Sequence, residues 1–170
     1  MGKAMKTEKG RRAIGAVKIT VIVVCLATVI ISATFFAVRS ILKAEFPMKY
    51  QDKISLYAET YGVPEDLLYG VIHTESGYDE KAKSHAGAIG LTQITPETFL
   101  WLQTKTGENL PEEALYDADT SVKYCAVFYG LLLKEFGGDE KTAIAAYHAG
   151  RGQVNAWLRD PDISPDGKTL

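Results

Sequence analysis

The chain has 170 residues, a length that fits one domain with an attached segment better than two large domains. Charged residues make up 24% and hydrophobic residues 46%, which excludes a chain that is disordered throughout. The formal net charge of −2 argues against a basic protein that binds nucleic acid.

The charges are distributed unevenly. Residues 1–18 hold six basic side chains and one acid, whereas residues 40–170 hold 12 basic and 20 acidic ones, a net charge of −8. Between them, the stretch that Ile19 opens and Val38 closes has no charged residue. A helix of this length spans about 30 Å, the thickness of a bilayer core. We predict a basic cytoplasmic segment over 1–18 and a transmembrane helix over 19–38. The positive-inside rule then places the rest of the chain outside the membrane.

Two alternatives for the apolar stretch stay open. A buried core helix is disfavoured, because the stretch has no polar face to show to water. A cleaved signal peptide is a stronger rival. Its apolar region is usually 7–15 residues long and precedes an Ala-x-Ala-like site, and neither feature is clear here.

Cysteine and motif usage predicts no cofactor. Cys25 and Cys125 fall in different predicted segments, so we expect no internal disulfide. The sequence has no Cys/His cluster with zinc spacing, no Walker loop and no dinucleotide fingerprint. We therefore predict neither a metal nor an organic cofactor, and the sequence does not indicate an oligomeric state.

After a connector over 39–51, residues 52–159 show helical periodicity and no useful alternating pattern. The fold class is therefore all or mainly α. The first predicted helix ends at Gly62 and the second begins at Pro64. Three more run from Pro96 to about Thr106, over 122–136 and from Asp139 to His148. A last short helix contains Val154 and Trp157. Residues 84–95 are predicted to be a turn-rich connection, and residues 160–170 an irregular tail.

Glu75 interrupts an apolar helical stripe. It shares one face with Leu68, Val71 and Ile72 and lies near the predicted helix end. Burial and the negative end of the helix dipole both disfavour its charged form, which suits a general acid. The alternative is a last-turn glutamate that bends out to water.

Four motifs in order resemble one family. They read HTESGY at 73–78, SHAGAIGLTQ at 84–93, LYD at 115–117 and AAYHAGRG at 145–152. This set, over roughly residues 50–167, resembles the lytic transglycosylases of glycoside hydrolase family 23, which also contains goose-type lysozymes. The resemblance implies a lysozyme-like α fold that cleaves the β-1,4 bond between MurNAc and GlcNAc in peptidoglycan and forms 1,6-anhydroMurNAc.

The resemblance also implies roles for single residues. Glu75 falls on the family's catalytic glutamate, first an acid and then a base that helps the sugar's C6 hydroxyl attack C1. This scheme does not require the second carboxylate of most glycosidases. The resemblance assigns substrate-binding positions to Ser76, Ser84, Gly87, Gly90, Gln93, Tyr147 and His148. We expect Tyr147 to orient Glu75, and the two glycines to let the backbone approach the sugar.

The sequence departs from the family pattern at several positions. Thr92 replaces the usual Met and His148 the usual Asn, and Ser121 and Cys125 replace Asn and Gly. We also expect the family's final helix to be missing after residue 170. Two alternatives to a transglycosylase therefore stay open, a hydrolytic muramidase on the same fold and a non-catalytic peptidoglycan-binding module.

Overall fold

A computed structural model describes the backbone of residues 2–45 and 48–170, and the side-chain surroundings of residues 18, 21–42 and 48–170. The chain divides into two compact units, Met1–Pro47 and Met48–Leu170. The first unit contains one helix, and the second holds every residue predicted to take part in chemistry.

The N-terminal helix, α1, runs from Gly2 to Glu45. Within it, Val21–Leu42 is long and apolar enough to cross a membrane, and its side chains are exposed. The helix extends past the predicted end at Val38 into the range expected to be a connector. The reason is local, because no glycine or proline stands between Gly15 and Pro47 to end it.

The second unit is mainly α-helical, which confirms the predicted fold class. Among its described residues the only extended pairings are two isolated bridges, Lys83 with Ile89 and Ile89 with Ile94. The helices are α2 (Gln51–Tyr61), α3 (Glu65–Ser76), α4 (Pro96–Thr106), α5 (Ala118–Glu135), α6 (Glu140–Ala149) and α7 (Arg151–Trp157). A 3₁₀ turn at Glu112–Tyr116, which periodicity did not predict, leads into α5.

Helix α5 is the centre of the core. It contacts α2, α3, α4, α6 and the 3₁₀ turn. Its buried side chains come from nearly every turn: Val122, Tyr124, Cys125, Ala126, Val127, Phe128, Tyr129 and Leu132. A helix with buried side chains in nearly every turn must be packed by several other elements, and this arrangement holds α3 and α6 on one scaffold.

Side-chain caps fix where three helices begin. Thr95, Asp117 and Asp139 accept hydrogen bonds from the backbone N–H groups of the residues three positions later, at 3.2, 2.9 and 2.8 Å. Helix α3 ends at Gly77, whose φ of 60° lies in the left-handed region, so the chain turns away directly after Glu75 and Ser76.

Candidate active site

Glu75 lies in the last turn of α3, on the side that faces the core. Leu68, Val71 and Ile72 are buried on that helix, and the Glu75 side chain is 18% exposed. Burial is the main cause that raises the pKa of Glu75 above its ordinary value, and nearby His148 partly offsets it. A half-buried carboxyl with a raised pKa can carry a proton closer to neutral pH than an exposed glutamate can.

His148, near the end of α6, touches this carboxyl directly. Its Nδ1 lies 3.1 Å from Glu75 Oε1, and its side chain is 46% exposed. The structure therefore places a predicted substrate-binding residue against the predicted acid. The two side chains meet because α5 packs against both α3 and α6.

Ser76 and Tyr147 hold the backbone that follows α3. Ser76 Oγ donates to the carbonyl of Leu91 at 2.8 Å, and Tyr147 Oη donates to the carbonyl of Thr92 at 2.7 Å. The expected hydroxyl contact from Tyr147 to Glu75 is thus replaced by a contact to the loop. Both predicted residues therefore fix the backbone at residues 91–92.

The loop before residue 91 is built from its own hydrogen bonds. Ser84 Oγ accepts from the backbone N–H of Ala88 at 3.0 Å, and the N–H of Gly87 donates to the carbonyl of Ser84 at 3.0 Å. Gly87 has a φ of 84°, which accounts for a glycine in this turn.

Gly90 allows a close approach within the protein. A Cβ at Gly90 would lie 2.1 Å from the carbonyl oxygen of Leu115, so the backbones of the loop and the 3₁₀ turn touch there. We expected this glycine to admit a sugar. The structure shows that packing already requires it, and sugar contact at Gly90 remains a prediction.

Gln93 is also directed toward the loop. Its backbone adopts a φ of 51°, unusual for a residue with a side chain. Its amide Nε2 donates to the carbonyl of Gly90 at 2.9 Å and lies 3.3 Å from that of Ala82. In this structure the Gln93 side chain stabilises the loop through these carbonyl contacts, and its contact with sugar hydroxyls stays a prediction.

Two departures from the family pattern are partners in the structure. Thr92 and Ser121 are both fully buried, and their hydroxyl oxygens lie 3.0 Å apart. The two hydroxyls thereby share a hydrogen bond, whereas a buried hydroxyl without a partner would reduce the stability of the fold. Twenty-nine positions separate the two residues, so sequence reasoning treated them as unrelated differences.

Tyr129, a buried residue of α5, packs against Tyr147 next to the candidate site. Its ring stacks on Tyr147 with centroids 4.5 Å apart. Its hydroxyl is buried without a hydrogen-bond partner among the described residues. Burial raises the pKa of both Tyr129 and the Cys125 thiol, the latter to about 12, with a smaller contribution from the charge of Glu75. Both groups therefore stay neutral near the carboxyl.

A groove of about 290 Å³ opens beside His148. It runs between α3 and α6, and its lining includes Gly70, Thr74, Tyr129, Ile144 and His148. A larger hollow of about 450 Å³ lies near Glu135, Asp139 and Lys168 and includes none of the predicted site residues. We therefore place the candidate site at the Glu75–His148 contact and not in the larger hollow.

The comparisons with known proteins agree with this fold. The sequence profile described as "Transglycosylase SLT domain" matches residues 52–168. The soluble lytic murein transglycosylase of Escherichia coli K12 is 30% identical over 120 residues, which cover 69% of this chain and 18% of that protein. The membrane-bound lytic murein transglycosylase C of Haemophilus influenzae PittEE is 30% identical over 116 residues, covering 62% of this chain and 32% of that protein.

A solved structure has the same fold. It is a glutamate-to-glutamine inactive mutant of the lytic transglycosylase Slt from Pseudomonas aeruginosa. The TM-score is 0.67 at 29% identity, over 70% of this chain and 20% of that one. These findings define a helical, lysozyme-like domain of the lytic transglycosylase class. The chain belongs to the Transglycosylase SLT domain family. It spans less than a third of the length of the curated relatives that it matches.

Proposed function

We propose that this chain is a membrane-anchored lytic transglycosylase that cleaves the β-1,4 bond between MurNAc and GlcNAc in peptidoglycan. The observation that carries the proposal is the Glu75 carboxyl, 18% exposed and with a raised pKa, at the end of α3 in a domain of this family. The named relatives are lytic murein transglycosylases, which supports the substrate class.

Glu75 supplies the acid and then the base. Protonated Glu75 donates its proton to the glycosidic oxygen, and the bond from that oxygen to C1 of MurNAc breaks while the 2-acetamido group assists. The resulting Glu75 carboxylate accepts the proton of the C6 hydroxyl as that oxygen bonds to C1. The product is 1,6-anhydroMurNAc, no water is consumed, and Glu75 ends the cycle protonated.

The surroundings of Glu75 suit a reaction with one carboxyl group. Burial raises the pKa of Glu75 and His148 lowers it, so the two main causes of its shift are burial and an imidazole. Most glycosidases need a pair of carboxyl groups about 5–9.5 Å apart. An intramolecular hydroxyl nucleophile removes the need for a second carboxylate that activates water.

We propose that the glycan strand is bound by the residues around this carboxyl. Ser76, Tyr147 and Gln93 order the loop over 84–93, and the Ser84 hydroxyl remains available as a donor beside it. Gly87 and Gly90 complete the turn geometry of that loop. His148 contacts the carboxyl, and its own side chain is 46% exposed.

Product analysis tests the reaction. Full-length protein in detergent would be incubated with purified peptidoglycan, and the released muropeptides would be analysed by mass spectrometry. We expect products lighter by one water than the reducing-end forms. Reducing-end products that depend on Glu75 would instead establish a lysozyme. A folded protein that releases neither product would indicate a binding module.

The substitution Glu75→Gln tests the assignment of the acid, because glutamine keeps the shape and has no proton to donate. We expect loss of activity by at least about a thousandfold. The fold should persist, and E75Q should be at least as stable as wild type at pH 8. A protein with a carboxyl whose folded-state pKa is raised loses stability as pH rises from the unfolded pKa through the folded pKa of that group, and glutamine avoids this cost. Asp79→Asn, an exposed carboxylate nearby, is the matched control and should remain active.

A further inference from the structure

The contact between Glu75 and His148 joins two titratable groups. Helix α3 brings the carboxyl and helix α6 brings the imidazole, and Nδ1 and Oε1 lie 3.1 Å apart. At this distance one atom must donate a hydrogen to the other. Because Nδ1 can be either donor or acceptor, the contact has more than one protonation state. An amide side chain at this position would not have this property.

We propose that His148 is a positioning residue that shares one proton with Glu75 and thereby keeps the protonated fraction of the acid constant over a range of pH. This inference rests on the proposed function above, in which Glu75 is the general acid. It adds a role for His148 in regulating that acid.

The proton count of the pair explains the effect. With one proton in the pair, Glu75 is neutral and donates to Nδ1, or Glu75 is a carboxylate and accepts from an imidazolium. The two arrangements contain the same number of protons, so their ratio does not depend on pH. While the pair holds one proton, the fraction of Glu75 that is ready to act as an acid is therefore fixed.

The buried tyrosine and cysteine groups that pack near Glu75 from α5 and α6 do not change charge in the same range. From α6, Tyr147 lies beside His148, and burial raises the pKa of its hydroxyl well above the ordinary value. From α5, Tyr129 and Cys125 also have raised pKa values and stay neutral. Histidine is the side chain that ordinarily titrates between pH 5 and 8.

The acidic groups around His148 are more distant from the contact. Asp66 on α3 and Glu140 on α6 line the same groove as His148 and can add negative potential there. Among the described residues, however, the ion pair of His148 is with Glu75. Glu75 and His148 are therefore each other's partner in the ion pair.

One reaction cycle leaves the pair unchanged. The glycosidic oxygen takes the proton of Glu75, and the C6 hydroxyl returns one proton to Glu75 when the anhydro ring closes. Because the count before and after turnover is equal, the pair can set the starting state of every cycle without an added acid or base.

The variant His148→Asn separates positioning from titration. Asparagine can hydrogen-bond to Glu75 from nearly the same place as Nδ1, but it does not titrate. We would measure kcat on soluble glycan strands from pH 4.5 to 8.5, with full-length protein in detergent. The wild type should show a plateau of at least about one pH unit in which kcat changes less than twofold. In the same interval the kcat of H148N should fall by up to about tenfold per pH unit as pH rises.

Two further variants complete the kinetic test. His148→Ala removes both the hydrogen bond and the titration, and its kcat should lie below that of H148N at each pH. Asp79→Asn, which removes an exposed carboxylate outside the loop over 84–93, is the control and should keep the wild-type profile. If the profiles of wild type and H148N superimpose after scaling by a constant, the shared-proton role is wrong.

A measurement without turnover checks the same pair. The carboxyl ¹³C signal of Glu75, assigned by its absence in E75Q, would be followed by NMR against pH. Coupled titration predicts two steps in the wild type and one step in H148N. A single step in both proteins would overturn the inference. If E75Q kept its activity, the proposed function would fail, whereas an inactive E75Q with unaltered H148N profiles would defeat this inference alone.

Discussion

At the scale of single residues, two positions in the same loop require glycine for different physical reasons. Both have a positive φ, 84° at Gly87 and 74° at Gly90. A Cβ at Gly87 would meet nothing within 4 Å, whereas one at Gly90 would lie 2.1 Å from the Leu115 carbonyl oxygen. Gly87 is thus required by backbone conformation alone, and Gly90 by conformation and packing together.

This contrast predicts unequal effects of Gly90→Ala and Gly87→Ala. The left-handed conformation alone costs a residue with a Cβ about 1–2 kcal/mol, which is the loss we expect for G87A. G90A should lose roughly 2–5 kcal/mol, because displacement of the Leu115 backbone adds a packing cost of about 1–3 kcal/mol. Urea unfolding of both variants would measure the difference. Equal losses would contradict the close contact.

Tyr147 and Tyr129 form a second matched pair. Their rings stack, but only the Tyr147 hydroxyl has a hydrogen-bond acceptor, the Thr92 carbonyl at 2.7 Å. Tyr147→Phe should cost about 1–2 kcal/mol of unfolding free energy, since a carbonyl in the loop loses its donor. Tyr129→Phe should be neutral or stabilising, because its buried hydroxyl has no partner among the described residues.

Thermal unfolding followed by circular dichroism would compare the two phenylalanine variants. A larger loss for Y129F than for Y147F would show that the Tyr129 hydroxyl has a partner in solution. The comparison is clean because each substitution removes one oxygen and keeps the stacked ring.

The sequence predicted some of these residues better than others. Glu75 could be placed at a helix end on the apolar face because α3 is periodic and Gly77 ends it. The Thr92–Ser121 pair and the contact of Gly90 with Leu115 could not be predicted, because each joins positions 25 or more apart. Periodicity reports which face of an element is buried, and it does not report which residue of another element that face meets.

At the scale of elements, α6 connects a cap at one end with the candidate site at the other. Asp139 Oδ1 accepts from the Thr142 N–H at 2.8 Å, and Tyr147 and His148 lie in the last turn of this ten-residue helix. The hydrogen bonds from Thr142 hold the pKa of Asp139 below its ordinary value. The cap therefore stabilises the helix chiefly when the carboxyl is ionised.

Removal of this cap should reduce stability in a pH-dependent way. Asp139→Ala should cost about 0.5–2 kcal/mol at pH 7. Because the folded-state pKa is lowered, the charged cap contributes above the unfolded pKa of about 3.9 and is lost as pH falls through the folded value. Asp139→Asn keeps a capping oxygen and does not titrate, so it should lose little at pH 7. Urea unfolding at pH 7 and pH 3 would test both variants.

The other elements show the same division between local and tertiary causes. Pro64, Pro96 and Asp139 predicted where α3, α4 and α6 begin, since these residues act on the nearest turn of backbone. The 3₁₀ turn at Glu112–Tyr116 was not predicted. Its one buried residue, Leu115, packs against the cluster that contains Phe99 and Tyr124, so tertiary contacts and not periodicity account for it.

At the scale of the whole molecule, the charge asymmetry of the chain becomes an argument about topology. The six basic residues of the first 18 precede the apolar span, whereas Arg39, Lys43, Lys49 and Lys53 are the basic residues that follow it closely. Six against four favours retention of the N-terminus in the cytoplasm. We propose on this basis that residues 48–170 are displayed on the cell-wall side, where peptidoglycan is found.

Protease accessibility would test this topology. Protoplasts of cells that express the full chain with a tag at each end would be treated with an external protease. We expect loss of the C-terminal tag and protection of a membrane-bound fragment that keeps the N-terminal tag. Protection of the C-terminal tag would contradict the proposed orientation. Before protease treatment, a shortened product that carries the C-terminal tag but lacks the N-terminal tag would indicate cleavage of a signal peptide.

Charge substitution makes the test quantitative. Replacing the six basic residues of 1–18 with glutamine leaves only the four that follow the span, so a substantial fraction of chains should insert with the opposite orientation. The matched control replaces four exposed lysines of the domain, which are far from the span in sequence: Lys105, Lys134, Lys141 and Lys168. This control should keep the wild-type orientation, because basic residues act on insertion only near the ends of the span. Equal inversion in the two variants would mean that total charge, and not its position along the chain, sets the topology.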